Sequence, residues 1–307
     1  MMGSTQDYKP PTSSTIKTRQ NENDALRLLI AQRRIYRHAK RWLGVRWFGM
    51  VLIGIAAPIV AVLWSSVAVA VGAIAGAWIF AGRTFLSVVQ SKITAQAASV
   101  QEQFDFYVFG MPDTTARSTL PSRERIAAVA GSDITIRDTA RSDRLLDWYD
   151  VDPANEGAVT VAISQRANAS YAHGLLRSTA IVWAAATGVW CTLLIVVAVI
   201  SDVTLETFLL GMFLPVLPAF LDVAQYVFGV WRSASDRADL ARAIEARLVP
   251  GATPDPQELL VWQEQLFDLR RGAPEVPDII YKLRWKTNER AMRSVADQLG
   301  RRSRGSN

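Results

Sequence analysis

One carboxylate, Asp222, stands in a stretch that is otherwise apolar from about Thr207 to Trp231. An ionised carboxylate among apolar neighbours is costly unless it faces a partner or water, so its position raises a functional question. On a helix, Pro218, Gln225, Tyr226 and Gly229 share one stripe with it, at offsets of three, four and seven. That stripe reads as the pore-lining wall of a water-filled seam, within one chain or between copies. A hydrogen bond to a neighbouring helix is the competing reading. A second group suits a ligand carrying both phosphate and base: Arg166 and Arg177 for the anion, Trp148 and Tyr149 for stacking. Each arginine is equally explained as an anchor beside an apolar run.

Little else points to covalent chemistry. There are two histidines, His38 and His173, and one cysteine, Cys191, which lies in an apolar run. The sequence has no nucleophile elbow, no phosphate-binding loop and no His-Glu-x-x-His zinc helix. A single cysteine excludes an intramolecular disulfide framework and a Cys-based zinc site. The chain is therefore read as a non-enzyme without cofactor or metal. Asp147, Asp150 and Asp152 supply hard oxygens suited to a divalent cation, but a solvated acidic loop accounts for them as well.

The elements that must position these residues are apolar helices. From Trp47 to Gly82 no residue is charged, about twice the roughly 20 residues that one bilayer crossing needs. A turn at Ser65-Ser66 divides this run into spans near 46 to 64 and 67 to 84. A re-entrant hairpin is the alternative. Ser178 to Ser201 is uncharged and apolar on every face, which marks a third span. The fourth, ending at Trp231, carries Pro215 and Pro218, which neighbouring helices can accommodate in a membrane. The expected fold is an all-α integral membrane protein with four transmembrane helices in two hairpins, 46–84 and 178–231, and helical cytoplasmic lobes.

Charge sets the orientation. The first 46 residues hold ten Lys/Arg against three acids, whereas 82–180 holds ten against eleven. Arg33, Arg34, Arg37, Lys40, Arg41 and Arg46 precede the first span, and Arg232 and Arg237 follow the fourth. The two hairpin tips contain no Lys or Arg. By the positive-inside rule both termini and the central region are cytoplasmic, and the excess charge meets a bilayer surface rather than a nucleic-acid duplex. No cleavable signal peptide is read at the N-terminus, so the first apolar run serves as an uncleaved anchor.

Outside the spans, 1–22 reads as a disordered leader, poor in apolar residues. A basic amphipathic helix over 23–45 either lies on the membrane or feeds straight into the first span. In the cytoplasmic lobe, 85–177, a helix runs to Phe109 and stops at Gly110. A shorter one follows, capped by Ser122 and ended by Gly131. Residues 132–152 read as loop with short extended pieces. From Pro153 one helix runs through Arg177 into the third span, although Val159, Val161 and Ile163 alternate as a strand would. Beyond Trp231, the segment 232–307 reads as three helices: 233–248, 257–271 and 278–299.

Several strings resemble the bacterial SMODS-associated four-transmembrane (S-4TM) effectors of anti-phage defence. They are RQN at 19–21, AQRRIYRHAK at 31–40, QEQFDFYVFG at 101–110, DWYD at 147–150, SQRAN at 164–168, LLR at 175–177 and VPDIIYKLR at 276–284. The chain departs from the family pattern at Ser164 and at Ser170-Tyr171. The resemblance implies a homo-oligomeric, pore-forming effector of the bacterial inner membrane that acts by abortive infection. It also implies, as trigger, a cyclic oligonucleotide from a partner nucleotidyltransferase. Gln165 and Asn168, beside Arg166 in the fifth string, then join Trp148, Tyr149 and Arg177 as expected ligand contacts. An ion or small-molecule transporter and a membrane-anchored enzyme or scaffold are the other readings.

Overall fold

The computed structural model describes residues 8–64, 68–113, 116–277, 280 and 294–304. Every regular element among these residues is helical. A short α1 (Ser13–Arg19) leads into α2 (Asn23–Leu63), and α3 (Ala68–Ala81) passes through a π turn, Gly82–Leu86, into α4 (Ser87–Phe109). Two short helices, α5 (Arg123–Ala130) and α6 (Ile136–Ser142), precede α7 (Gly157–Ile200). After α8 (Leu205–Thr207) a second π turn, Phe208–Phe213, opens α9 (Leu214–Arg247), and α10 (Pro256–Arg271) follows.

Four long runs carry the architecture. With 41 and 44 residues, α2 and α7 extend about 60 and 66 Å at 1.5 Å per residue, twice the ~30 Å hydrocarbon core of a bilayer. Each run reverses its burial pattern partway along. The N-terminal part of α2 buries Ala25, Leu26, Leu29 and Ile30, while beyond Gly44 the same helix exposes Phe48, Leu52, Ile55 and Ile59. Likewise α7 buries every residue from Ala158 to Gln165 and then exposes Val189, Ile195, Val199 and Ile200. Apolar side chains turned outward along half a helix fit hydrocarbon as solvent, whereas those turned inward at the other end build a water-soluble core.

Among the described residues, two helical stretches are long and apolar enough to cross a membrane, Ala70–Phe109 and Gly157–Ile200. The apolar parts of α2 and α9 pack alongside them, α9 along α7 and α3 against both α2 and α9. At the other end, α2, α4, α5, α6, α7, α9 and α10 share one hydrophobic core around Phe104, Phe109, Ile136, Leu145, Ile244 and Leu266. The 23–45, 85–177 and 232–271 segments thus form one lobe.

Several expectations change. The leader is ordered from residue 8: Tyr8 and Ile16 are buried in the lobe core, Thr12 caps α1, and Ser13 bonds Thr160 Oγ1 at 2.6 Å. Its few apolar residues suffice because they are spaced to fill gaps between α4 and α7. Residues 1–7 lie outside the described set. The 23–45 segment feeds straight into the apolar half of α2. Residues 132–152 hold a 3₁₀ turn (Asp133–Thr135) and α6 in place of extended pieces.

Helix α7 begins at Gly157, not Pro153, because Asp152 Oδ1 accepts the Ala154 amide at 2.9 Å and forms a turn there. A Cβ at Gly157 would sit 1.9 Å from the Pro11 carbonyl oxygen, so only glycine lets the leader cross this helix start. Val159, Val161 and Ile163 are helical, and their alternation disappears because this turn of α7 is buried on all sides. The local signals at Ser122 and Gly131 behave as read: Ser122 Oγ accepts the Arg125 amide and Gly131, at φ 94°, ends α5. The Ser65-Ser66 tip and most of the 278–299 helix fall outside the described residues.

Candidate functional site

Asp222 is buried at the junction of the apolar bundle and the lobe, its side chain only 4% exposed. Each carboxylate oxygen takes a guanidinium from a different helix. Arg46, on α2, donates through Nη2 to Oδ2 at 2.5 Å, and Arg83, in the π turn after α3, donates through Nε to Oδ1 at 3.0 Å. The Nη2 of Arg83 also donates to Gln225 Oε1, one turn further along α9. Three helices are therefore tied at one carboxylate by charge-assisted bonds, the strong class of hydrogen bond.

The sequence produces this arrangement in two ways. Arg46 is the last charge before the uncharged run and Arg83 the first after it, so a hairpin returns both to the same level. The π turn then aims Arg83. It adds one residue to the turn, about 100° of rotation between α3 and α4 at 3.6 residues per turn. The stem of Arg46 lies across Gly82 with Cγ 3.6 Å from where a Cβ would stand.

Aromatic side chains pack beside the charges. Trp47 stacks on Trp183 at 4.2 Å, and Tyr226 meets Trp47 edge-on at 5.0 Å. The Tyr226 hydroxyl donates to the Glu275 carbonyl at 2.8 Å. Trp78 lies so close on Gly49 that a Cβ there would come within 2.1 Å of its ring. Of the stripe read from the sequence, Asp222 and Gln225 face Arg83, Tyr226 packs on the tryptophans, Pro218 is exposed on the outer face and Gly229 is half-buried. Within the chain, two arginines occupy the polar end of the stripe. The hydrogen bond to a neighbouring helix, the competing reading of Asp222, is what the geometry holds.

The second candidate group also rearranges. Tyr149 is buried, its hydroxyl donating to Asp105 Oδ1 and its ring covered by Phe104 and Phe109 with centroids 5.9 and 5.1 Å away. Asp105, wholly buried on α4, also accepts Arg270 Nη1 at 2.6 Å and Gln263 Nε2 at 2.8 Å, both from α10. Asn168 donates to the Tyr149 hydroxyl at 2.9 Å, and Gln165 donates to Gln263 Oε1 at 3.1 Å and to the Leu259 carbonyl at 2.9 Å. The Gln20 amide clamps the Tyr149 backbone, donating to its carbonyl at 3.1 Å and accepting its amide at 2.8 Å.

Tyr149, Gln165 and Asn168 do meet, but inside a packed core. Burial, and then the Asp105 charge, push the Tyr149 phenol well above its ordinary range. Burial pulls the Arg270 guanidinium down, yet Asp105 outweighs it and holds the group above its usual value. Two buried atoms of this network, Gln165 Oε1 and Arg270 Nη2, have no hydrogen-bond partner among the described residues.

The other three expected contacts stand apart. Arg166 pairs with Glu245 through Nη2 at 3.0 Å and Nε at 3.2 Å, Arg177 is exposed on α7, and Trp148 packs half-buried against the lobe core. Tyr149 therefore offers no free stacking face, since its ring and hydroxyl are both engaged. The acidic loop is likewise tied down: Asp147 accepts from Asn21 at 2.9 Å and Asp152 pairs with Arg304 at 2.7 Å. Among the described residues no group of three side chains is placed to hold a metal ion.

Sequence reading alone missed Arg46 and Arg83 as partners of Asp222, and Asp105, Gln263 and Arg270 as the centre around Tyr149. The available signals were one isolated carboxylate in the fourth apolar run with an arginine at each end of the first, and an aspartate set among aromatics in QFDFYVF.

Comparison with curated proteins and with solved structures gives no match. A family model does match, that of the SMODS-associating 4TM effector domain, over residues 14–299. The match covers the lobe, the apolar helices and both charged clusters, so the chain belongs to the SMODS-associating 4TM effector domain family and is a membrane effector of defence systems.

Proposed function

We propose that all four apolar segments cross the bacterial inner membrane, with both termini and the lobe in the cytoplasm, and that activation rearranges them into an ion-leaking pore. The trigger in this reading is a cyclic oligonucleotide made by a partner nucleotidyltransferase and received by the lobe. The pore is a homo-oligomer, and the leak ends phage growth by killing or arresting the infected cell.

One observation carries the reading. The helices that build the lobe core are continuous with the apolar helices, and the Asp222 cluster ties three of them where lobe and bundle meet. A shift of α2, α4 or α9 within the lobe therefore acts directly on that tie, without a flexible linker to absorb it. Packed cores respond to such shifts by switching between discrete arrangements. In this reading the Asp222 tie holds the bundle in its resting arrangement.

The test is ion flux. Purified full-length protein in vesicles of inner-membrane lipid is given a panel of cyclic oligonucleotides, and potassium efflux is followed. Efflux with at least one member of the panel, and tight vesicles without it, is the expected result. Vesicles that stay tight under every condition, with the protein inserted and folded, overturn the pore.

A further inference from the structure

The junction holds more hydrogen-bond donors than acceptors. Two guanidinium groups, Arg46 and Arg83, meet one carboxylate, Asp222, and one amide oxygen, Gln225 Oε1, and each of those acceptor atoms already receives a bond. Beside them the indole nitrogens of Trp47 and Trp78 are buried with no hydrogen-bond partner among the described residues. Other aromatic donors nearby do find one: the Tyr226 hydroxyl donates to the Glu275 carbonyl, and the Trp42 indole to His38 Nε2 at 3.2 Å.

Packing holds both unpaired indoles in place. Trp47 is 7% exposed, stacked on Trp183 and met edge-on by Tyr226. Trp78 Nε1 lies 2.3 Å from where a Cβ on Gly49 would stand, pressed against α2. The two tryptophans share one apolar cluster with Ala219 and Val223 of α9, so their donors lie in the layer of Asp222.

We infer that the pore prefers anions of chloride size and that this donor-rich layer selects them. The inference rests on the reading that the bundle opens at the Asp222 tie. Charge and hydrogen bonding point the same way. The runs 47–82, 178–201 and 207–231 contain no charged residue except Asp222. With Arg46 and Arg83 at the ends of the first, two positive charges and one negative leave one positive. Asp202 and Glu206 are exposed beyond the far end of α7, away from this layer. An anion shedding water here gains indole and guanidinium donors in its place, whereas the acceptors that a cation needs are already taken. Rings of Arg or Lys select anions in membrane pores by the same means. One net charge about 4 Å from an ion, at the dielectric of water, changes its occupancy roughly fivefold. Potassium also passes, more slowly.

The experiment reads selectivity rather than leak. Full-length protein in planar bilayers of inner-membrane lipid is given the panel of cyclic oligonucleotides under a potassium chloride gradient, at low salt to limit screening. The reversal potential is expected to favour chloride over potassium by about fivefold or more. Arg83→Gln brings the ratio to about one, and Arg83→Lys, which keeps the charge, preserves it. Benzothienylalanine at positions 47 and 78 keeps the ring shape without the N–H donor and lowers the ratio at constant charge. A potassium preference overturns the inference, as does a chloride preference unchanged in both Arg83→Gln and the benzothienylalanine protein. Absence of conductance under every condition, with the protein inserted and folded, has a different meaning: it overturns the pore itself, and this inference with it.

Discussion

Two buried carboxylates organise this chain, and they are held in different ways. Asp105, in the lobe, is wholly enclosed and accepts from Tyr149, Gln263 and Arg270. Its partners come from α10 and from a loop that the leader clamps through Gln20. Asp222, at the junction, has two arginine partners, and one of them, Arg83, is 42% exposed and sits in a π turn. An enclosed network with several donors is costly to disturb, because each group left behind is a buried unpaired one. A carboxylate with one partner at the water's edge can exchange that partner for solvent. The lobe network is thus built as a permanent fixture and the junction as a releasable tie.

The largest expected effect tests the fixture. Arg270→Met leaves Asp105 charged in the core without its counter-ion and costs about 3–5 kcal/mol of stability, measured by denaturant unfolding in detergent. A loss below about 1 kcal/mol would erase the contrast between the two sites.

The same experiment on Asp222→Asn is expected to cost roughly 2 kcal/mol, the scale of hydrogen bonds to charged groups. Its vesicles leak without any trigger. If the variant is as tight as the unsubstituted protein, Asp222 is a packing residue.

Deleting Thr84 rewinds the π turn as α-helix and rotates Arg83 by about 100° relative to α4. It reproduces the Asp222→Asn leak, and the double variant adds little to either single one because both break one interaction. Additive leaks would separate the π turn from the tie. Arg83→Gln is milder, about 1 kcal/mol or less, as for a partly exposed ion pair.

The smallest effect concerns a third carboxylate, Glu102. It is buried in the lobe against Arg117, which donates through Nε at 2.9 Å and Nη2 at 2.8 Å. Burial outweighs that pairing and raises the carboxyl above its usual range. A carboxyl whose folded pKa lies above its unfolded value keeps its proton longer in the fold. Stability therefore declines as pH rises from the ordinary value through the raised one. Glu102→Gln removes this slope from stability-against-pH curves, and an unchanged slope assigns it elsewhere.

What could be read early depended on range. Ser122 and Gly131 act within one turn of themselves, so their roles as cap and stop need only local sequence. The apolar runs are equally self-evident, since a solvent preference is a property of the segment. Composition alone points to disorder in the leader, whereas Tyr8 and Gln20 are held by residues more than a hundred positions away and Ile16 is buried in the lobe core. The strand-like alternation at Val159 to Ile163 carried no facing information once every side of that helix was covered.

Asp222 shows the division most clearly. By itself, the sequence determined that a carboxylate lies among apolar residues and must have a partner, because leaving it unpaired there is too costly. It also determined that arginines bracket the first uncharged run, and that the apolar and charged halves of the helices call for different solvents. Only the tertiary structure decided that the partners are Arg46 and Arg83, 176 and 139 residues away. Pairing across that separation depends on how four helices pack and on the extra residue of a π turn. Neither is encoded in any segment taken alone.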